Sequence, residues 1–226
     1  MNHFYCIPID KEVFIVANYL ARLRSFYEFK RGGYDYNEPS SLMQQMNNDL
    51  FCNENKLDLA NGNIAIGILA EMLIFRDLTQ YLHNLASDNM INQCFQYNLK
   101  IGSYDGGFDF CKIIKLACNN RVYPRELFHN INIDIKCYGT ESISTEERAY
   151  SLNLLVDAEQ FNNHKADIYM QTFVLKNNDG YFLLIAGYAT IDMLAFNDRF
   201  PKQAYCCLVS NLLPYDTFKE TYFQRL

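Results

Sequence analysis

The chain has 226 residues, half of them hydrophobic, with a formal net charge of −6 and a sequence pI near 5.2. That length and apolar content suit one domain with a real core and exclude wholesale disorder. The acidic balance counts against a uniformly basic, nucleic-acid-coating surface, yet it is compatible with a local basic groove and with catalytic carboxylates.

Eight cysteines, Cys6, Cys52, Cys94, Cys111, Cys118, Cys137, Cys206 and Cys207, form no C-x-x-C pair. No basic leader followed by an apolar run opens the sequence. Reduced, mostly buried thiols in a cytoplasmic or other reducing intracellular compartment are expected. No charge-free stretch is long enough to span a bilayer, so no membrane partner is expected.

After a short apolar start, KEVFIVANYLARLRSFYEFK (11–30) has helical periodicity through Phe14, Leu20, Phe26 and Phe29. RGGYDYNEP breaks it, and SSLMQQMNNDLF suggests a short second helix. Residues 61–86 form the longest helical pattern, with Asn61 or Asn63 as the cap. QYNLKIGSYDGGFDFCKIIKLAC then reads as two extended segments hinged at Asp105, Gly106 and Gly107. A polar loop containing Pro124 leads to a third strand, INIDIKCYG. TEERAYSLNLLVDAEQF (145–161) is expected to be one helix capped by Thr145. KADIYMQTFVL and GYFLLIAGYAT are strands around the turn NNDG. A helical turn near Asp192, a strand QAYCCLVS and a closing helix YDTFKETYFQRL complete the chain. This order predicts an α/β protein with a mixed central sheet flanked by helices. One domain spans 1–226: a helical extension over 1–60, a core over about 61–186, and a C-terminal strand and helix over 187–226.

The chemistry-bearing residues cluster on the third strand and its neighbours. Asp134 and Lys136 are two residues apart, so they share one strand face, while Ile133, Ile135 and Cys137 take the other. Asp109 follows the DGG turn, and Glu71 lies on the long helix among Ile68, Met72, Ile74 and Phe75. Hard divalent cations want several carboxylate or carbonyl oxygens around one point. Asp109 and Asp134 on adjacent strands supply two ligands and the Ile135 carbonyl a third. Lys136 then reaches the same water or phosphate, which suits metal-assisted phosphodiester hydrolysis.

This arrangement resembles the PD-(D/E)xK nuclease superfamily, the restriction-endonuclease-like proteins. YDGGFDF carries the first acid, Asp109, and IDIK carries the pair Asp134 and Lys136, 25 residues on (134 − 109). The resemblance spans about residues 61–186. It implies a core of helix, three antiparallel strands, helix and a further strand, with Glu71 matching the glutamate that many members place on the first core helix. Phe108 stands where the motif's proline would be, and Asp105 is a competitor for the role of first acid. The resemblance further implies a Mg²⁺-dependent endonuclease (Mn²⁺ as substitute) acting on DNA more readily than RNA, of restriction type and then homodimeric.

The same residues admit plainer readings. Asp134 and Lys136 also make an ordinary surface pair, Asp109 a turn-flanking acid and Glu71 the rim of an apolar helix stripe. Asp167, on one strand face with Tyr169 and Gln171, suits a cap or a link to Lys165 or a neighbouring strand. His3, His83, His129 and His164 lack metal spacing, and Cys206 and Cys207 point to opposite faces of a strand. Lys100, Lys112, Lys115, Arg121, Arg125 and Lys165 flank the proposed strands as a candidate phosphate path, and Tyr104, Tyr138 and Tyr169 are candidates for base stacking. A non-catalytic module that binds nucleic acid or protein on the same scaffold is the alternative function.

Overall fold

The structure, a computed structural model, describes residues 4–30, 41–50, 62–85, 95–98, 109–114, 129–138, 146–163, 166–199 and 203–223. The protein is α/β, with a mixed sheet flanked by helices. Six strands form that sheet: β1 (Tyr5–Pro8), β2 (Phe95–Tyr97), β3 (Phe110–Ile114), β4 (His129–Tyr138), β6 (Ile168–Asn177) and β7 (Gly180–Thr190). Their order is β1-β7-β6-β4-β3-β2, antiparallel throughout except for β4 beside β6. A second, antiparallel sheet holds β5 (Asn153–Asp157), β9 (Ala204–Leu208) and β8 (Ala195–Asn197) in that order.

The main sheet is buried on both faces. On one lie the helices α1 (Lys11–Lys30), α2 (Ser41–Leu50), α3 (Gly62–His83) and α6 (Tyr215–Phe223), joined to it through Phe14, Met46, Leu69, Leu73, Ile133, Met170 and Phe218. On the other lie the small sheet and the short helices α4 (Glu146–Tyr150) and α5 (Ala158–Asn163), packed through Leu154, Phe161, Tyr169, Phe173 and Leu184. Double burial explains why β6 is an almost uninterrupted apolar run: seven consecutive residues from Ile168 are buried. Helix α1 begins at Asp10, whose carboxylate accepts the Val13 N–H at 2.9 Å and pairs with Arg76 at 2.6 Å. α1 therefore docks on α3 and belongs to the main core.

Several expected elements differ. Residues 145–161 are not one helix, because Leu154 and Val156 are both fully buried at a spacing of two and pair with β9. The Ser151 hydroxyl bonds the Arg148 carbonyl at 2.8 Å at the end of α4, and Asp157 starts α5 by accepting the Glu159 N–H at 2.9 Å. The short apolar start is the edge strand β1, and residues 195–197 are a strand whose partner, β9, lies outside the main sheet. The expected caps Asn61 and Thr145, the turn at Asp105, Gly106 and Gly107 and the loop at Pro124 lie outside the described residues, as do Lys100, Lys115, Arg121, Arg125, Lys165 and Tyr104.

One irregularity shapes the centre. β7 carries an extra residue opposite β6: Gln171 pairs with Gly187 but Thr172 pairs with Ile185, leaving Ala186 unpaired. Gly187 has φ +137°, and a Cβ there would stand 2.4 Å from the Leu213 carbonyl oxygen. That carbonyl accepts the Tyr188 N–H at 2.9 Å and cannot retreat without losing the bridge. Gly180 also has a positive φ, +130°, but with nothing within 4 Å. Gly187→Ala is therefore expected to destabilise the fold by about 2–4 kcal/mol and Gly180→Ala by only about 1 kcal/mol. Urea midpoints of the two variants test this, and equal losses would contradict the steric account.

Candidate active site

Helix α3, β2, β4 and α5 bring polar side chains to the start of β3, where Asp109 stands. Helix α3 is set over β2 and β3 by Phe75, whose ring lies 5.2 Å from Phe95, 5.2 Å from Tyr97 and 5.9 Å from Phe110. One turn earlier on the same helix, Glu71 is only 7% exposed, and its Oε2 accepts the Tyr97 hydroxyl at 2.9 Å. Burial, with the Glu71 charge beside it, pushes the Tyr97 phenol far up, while Arg24 of α1 pulls it back down. Tyr97 thus stays a proton donor to a buried carboxylate.

Asp109 immediately precedes β3. Its main chain is locked between strands: its N–H donates to the Ile133 carbonyl at 2.8 Å, and its carbonyl accepts the Asn98 N–H at 2.8 Å. Its Oδ2 accepts the Ile135 N–H at 2.6 Å, so a side chain occupies a strand-ladder position. The residue as a whole is half-buried, but its carboxyl group is enclosed by protein. Desolvation first, then the charges of Glu71 and Asp134, hold that carboxyl well above the ordinary range; the Ile135 amide and the Lys136 charge oppose them.

Asp134 and Lys136 leave β4 on the face covered by α5, as alternation requires. Asp134 is 4% exposed. Lys136 Nζ stands 2.7 Å from Asp134 Oδ2 and donates to Gln160 Oε1 at 2.9 Å. Gln160 Nε2 closes the ring by donating to Asp134 Oδ2 at 3.3 Å. Glu71 approaches from the helical face, so it and Asp134 flank Asp109 from opposite sides of the sheet.

Of the expected residues, Asp109, Asp134, Ile135 and Lys136 occupy neighbouring strand positions, and Glu71 approaches Asp109 from the helical face. The Ile135 N–H faces Asp109, and because both polar groups of a strand residue leave on the same side, its carbonyl does too. Asp167 is not among them: it clamps the backbone of β4, its Oδ2 accepting the Asn132 N–H at 2.8 Å while its own N–H donates to Asn132 at 2.9 Å. Tyr169 is fully buried and offers no face for a base, while Tyr138 is partly buried with its ring stacked on Phe173. Gln160 and Arg24 escaped the sequence reading, since nothing in the chain around them signals their approach to residues 134–136 and 97.

The set was tested as a holder for a divalent cation. Among the described residues no three Asp, Glu, His or Cys side chains are grouped closely enough to hold an ion as they stand. Asp134 is closed onto Lys136, and one oxygen of Asp109 onto an amide. The donor chemistry nevertheless fits a hard cation, because desolvation and the Glu71 and Asp134 carboxylates on either side of Asp109 hold its pKa up, opposed by the Ile135 amide and the Lys136 charge. No protein-family model, no curated protein and no solved structure matches this chain. Among the described residues no helix is long and apolar enough to cross a membrane.

A carboxyl whose pKa is raised on folding holds its proton more tightly in the folded than in the unfolded chain. Asp109 therefore favours the fold most at low pH, and stability drains as pH climbs from the ordinary value of 3.8 through the raised one. In chelator, Asp109→Asn is expected to remove that slope and to be the more stable protein at pH 8. Thermal midpoints of both proteins from pH 4 to 8 decide it; parallel profiles would refute the buried acid cluster.

Proposed function

We propose that this protein is a Mg²⁺-dependent endonuclease that hydrolyses phosphodiester bonds in DNA. The observation that carries the reading is the placement of Asp109 between two buried carboxylates, Glu71 on one side and Asp134, paired with Lys136, on the other. The order of elements supports it too: α3, then the antiparallel β2, β3 and β4, then a crossover to β6 parallel to β4, as the PD-(D/E)xK resemblance implies, although that crossover is α4, β5 and α5 where the resemblance implies one helix. Preference for DNA rests on that resemblance alone.

In this mechanism Asp109, Asp134 and the Ile135 carbonyl would hold the cation. When bound, Mg²⁺ supplies a Lewis acid for the phosphoryl oxygen and lowers the pKa of a coordinated water. Lys136 leaves Asp134 and donates to the attacking water or to the phosphoryl oxygen that gains charge. Glu71, held by Tyr97, would act through Asp109, whose carboxyl pKa its charge holds up; the proton that the water gives up as its oxygen bonds phosphorus passes to solvent. The ester P–O bond breaks, and the leaving oxygen takes a proton from solvent.

Calorimetric Mn²⁺ titration and single-turnover cleavage of duplex, single-stranded and branched DNA and of RNA test this. Asp134→Ala should abolish both ion binding and cleavage. Lys136→Met should still bind the ion yet cleave about 10²–10³-fold more slowly. Mn²⁺ binding by D134A as tight as wild type would refute the metal site. Measurable nucleic-acid binding without turnover on any substrate would instead favour the non-catalytic module.

A restriction-type enzyme reading a two-fold target would be a homodimer. Sedimentation equilibrium should then give twice the 26.4 kDa chain mass. A monomer that stays monomeric on a duplex it cleaves would remove the restriction-type assignment.

A further inference from the structure

Gln171 is fully buried on β6, directly across the parallel register from Lys136. Its Nε2 donates to the Thr172 carbonyl at 2.9 Å and to the Lys136 carbonyl at 3.2 Å. The Thr172 hydroxyl donates to that same Lys136 oxygen at 3.2 Å. Two carbonyls facing one end of the amide require nitrogen there, so its orientation is set by chemistry. The other end, Oε1, is a buried acceptor with no hydrogen-bond partner among the described residues. Such an orphan is costly, and buried polar atoms are nearly always satisfied.

The neighbourhood contains a donor that will need it. The Lys136 ammonium is now held by Asp134 Oδ2 and Gln160 Oε1. Residues paired across parallel strands send their side chains to the same face, from backbones about 4.8 Å apart, well within the reach of a lysine. A cation on Asp134 would claim the carboxylate and repel the ammonium. Gln160 would remain, and Gln171 Oε1 is the vacant acceptor on the adjacent strand.

We propose that Gln171 is a positioning residue for Lys136: its amide nitrogen fixes the lysine's main chain, and its Oε1 receives the ammonium once Asp134 is engaged by a cation. Lys136 then moves between two sets of acceptors on one face, from Asp134 and Gln160 to Gln160 and Gln171. The movement's trigger and catalytic use rest on the cation site of the nuclease reading; the ability of Oε1 to take the ammonium when the Asp134 carboxylate is withdrawn does not.

The test removes Asp134 instead of adding metal or substrate. In Asp134→Ala the Lys136 ammonium should remain protected, giving a ¹H–¹⁵N cross-peak in lysine-labelled protein, and a crystal structure should place Nζ within hydrogen-bond distance of Gln171 Oε1. Adding Gln171→Met should speed exchange of that ammonium at least tenfold, with the backbone amide spectrum otherwise retained. An ammonium lost to solvent in D134A alone, or one indifferent to Q171M, overturns the proposal. So does a D134A crystal structure with Nζ away from Oε1, which decides the matter even where Q171M fails to fold. Wild-type protein that cleaves nothing would sink the nuclease reading while leaving this readout to stand by itself. In a cleaving enzyme, Q171M should slow the single-turnover rate about tenfold with Mn²⁺ affinity unchanged, a split that general loosening of the fold would not produce.

Discussion

Parallel pairing of β4 with β6 is the constraint from which the rest of the arrangement follows. Parallel neighbours cannot be joined by a tight turn, so the chain between Tyr138 and Ile168 must cross over a face of the sheet. Here the crossover includes α4, β5 and α5. β5 brings the second sheet with it through β9, and α5 carries Gln160 over Asp134 and Lys136. The same crossover shuts the face on which those two charges lie, which is why Asp134 is buried and not a rim residue on an open sheet.

Burial changes what the charges mean. A surface Lys–Asp pair contributes little and needs no purpose, whereas a carboxylate taken out of water must be compensated. Asp134 has Lys136 and Gln160; Glu71 has the Tyr97 hydroxyl; Asp109 has one backbone amide and two carboxylate neighbours. The least compensated acid is therefore the one at the centre. That imbalance is unfavourable for the protein alone and is relieved by positive charge, and it is what separates this cluster from an ordinary structural ion pair.

The bulge in β7 extends the same logic one strand further. Gly187 lets Leu213 press against the sheet, and the extra residue, Ala186, falls opposite the junction of Gln171 and Thr172. At that junction both side chains turn to the Lys136 carbonyl. A backbone irregularity in the sixth strand of the chain's main sheet thus lies directly behind the lysine of the candidate site.

Spacing by two was enough to place Asp134 and Lys136 on one strand face and the isoleucines on the other, because side chains alternate along any strand. Helical periodicity likewise located α1 and α3, and the apolar runs located β4, β6 and β7. Residues 145–161, expected as one helix, misled until β9 claims 153–157 as a strand; the deciding partner lies about fifty residues away. The approach of Gln160 to Lys136, the Glu71–Tyr97 bond and the clamp formed by Asp167 depend on which elements become neighbours. Local pattern therefore determined which residues carry charge on which face. Only the tertiary structure decided that those charges are buried together, because burial and pairing are properties of the space between elements and leave no period in the chain.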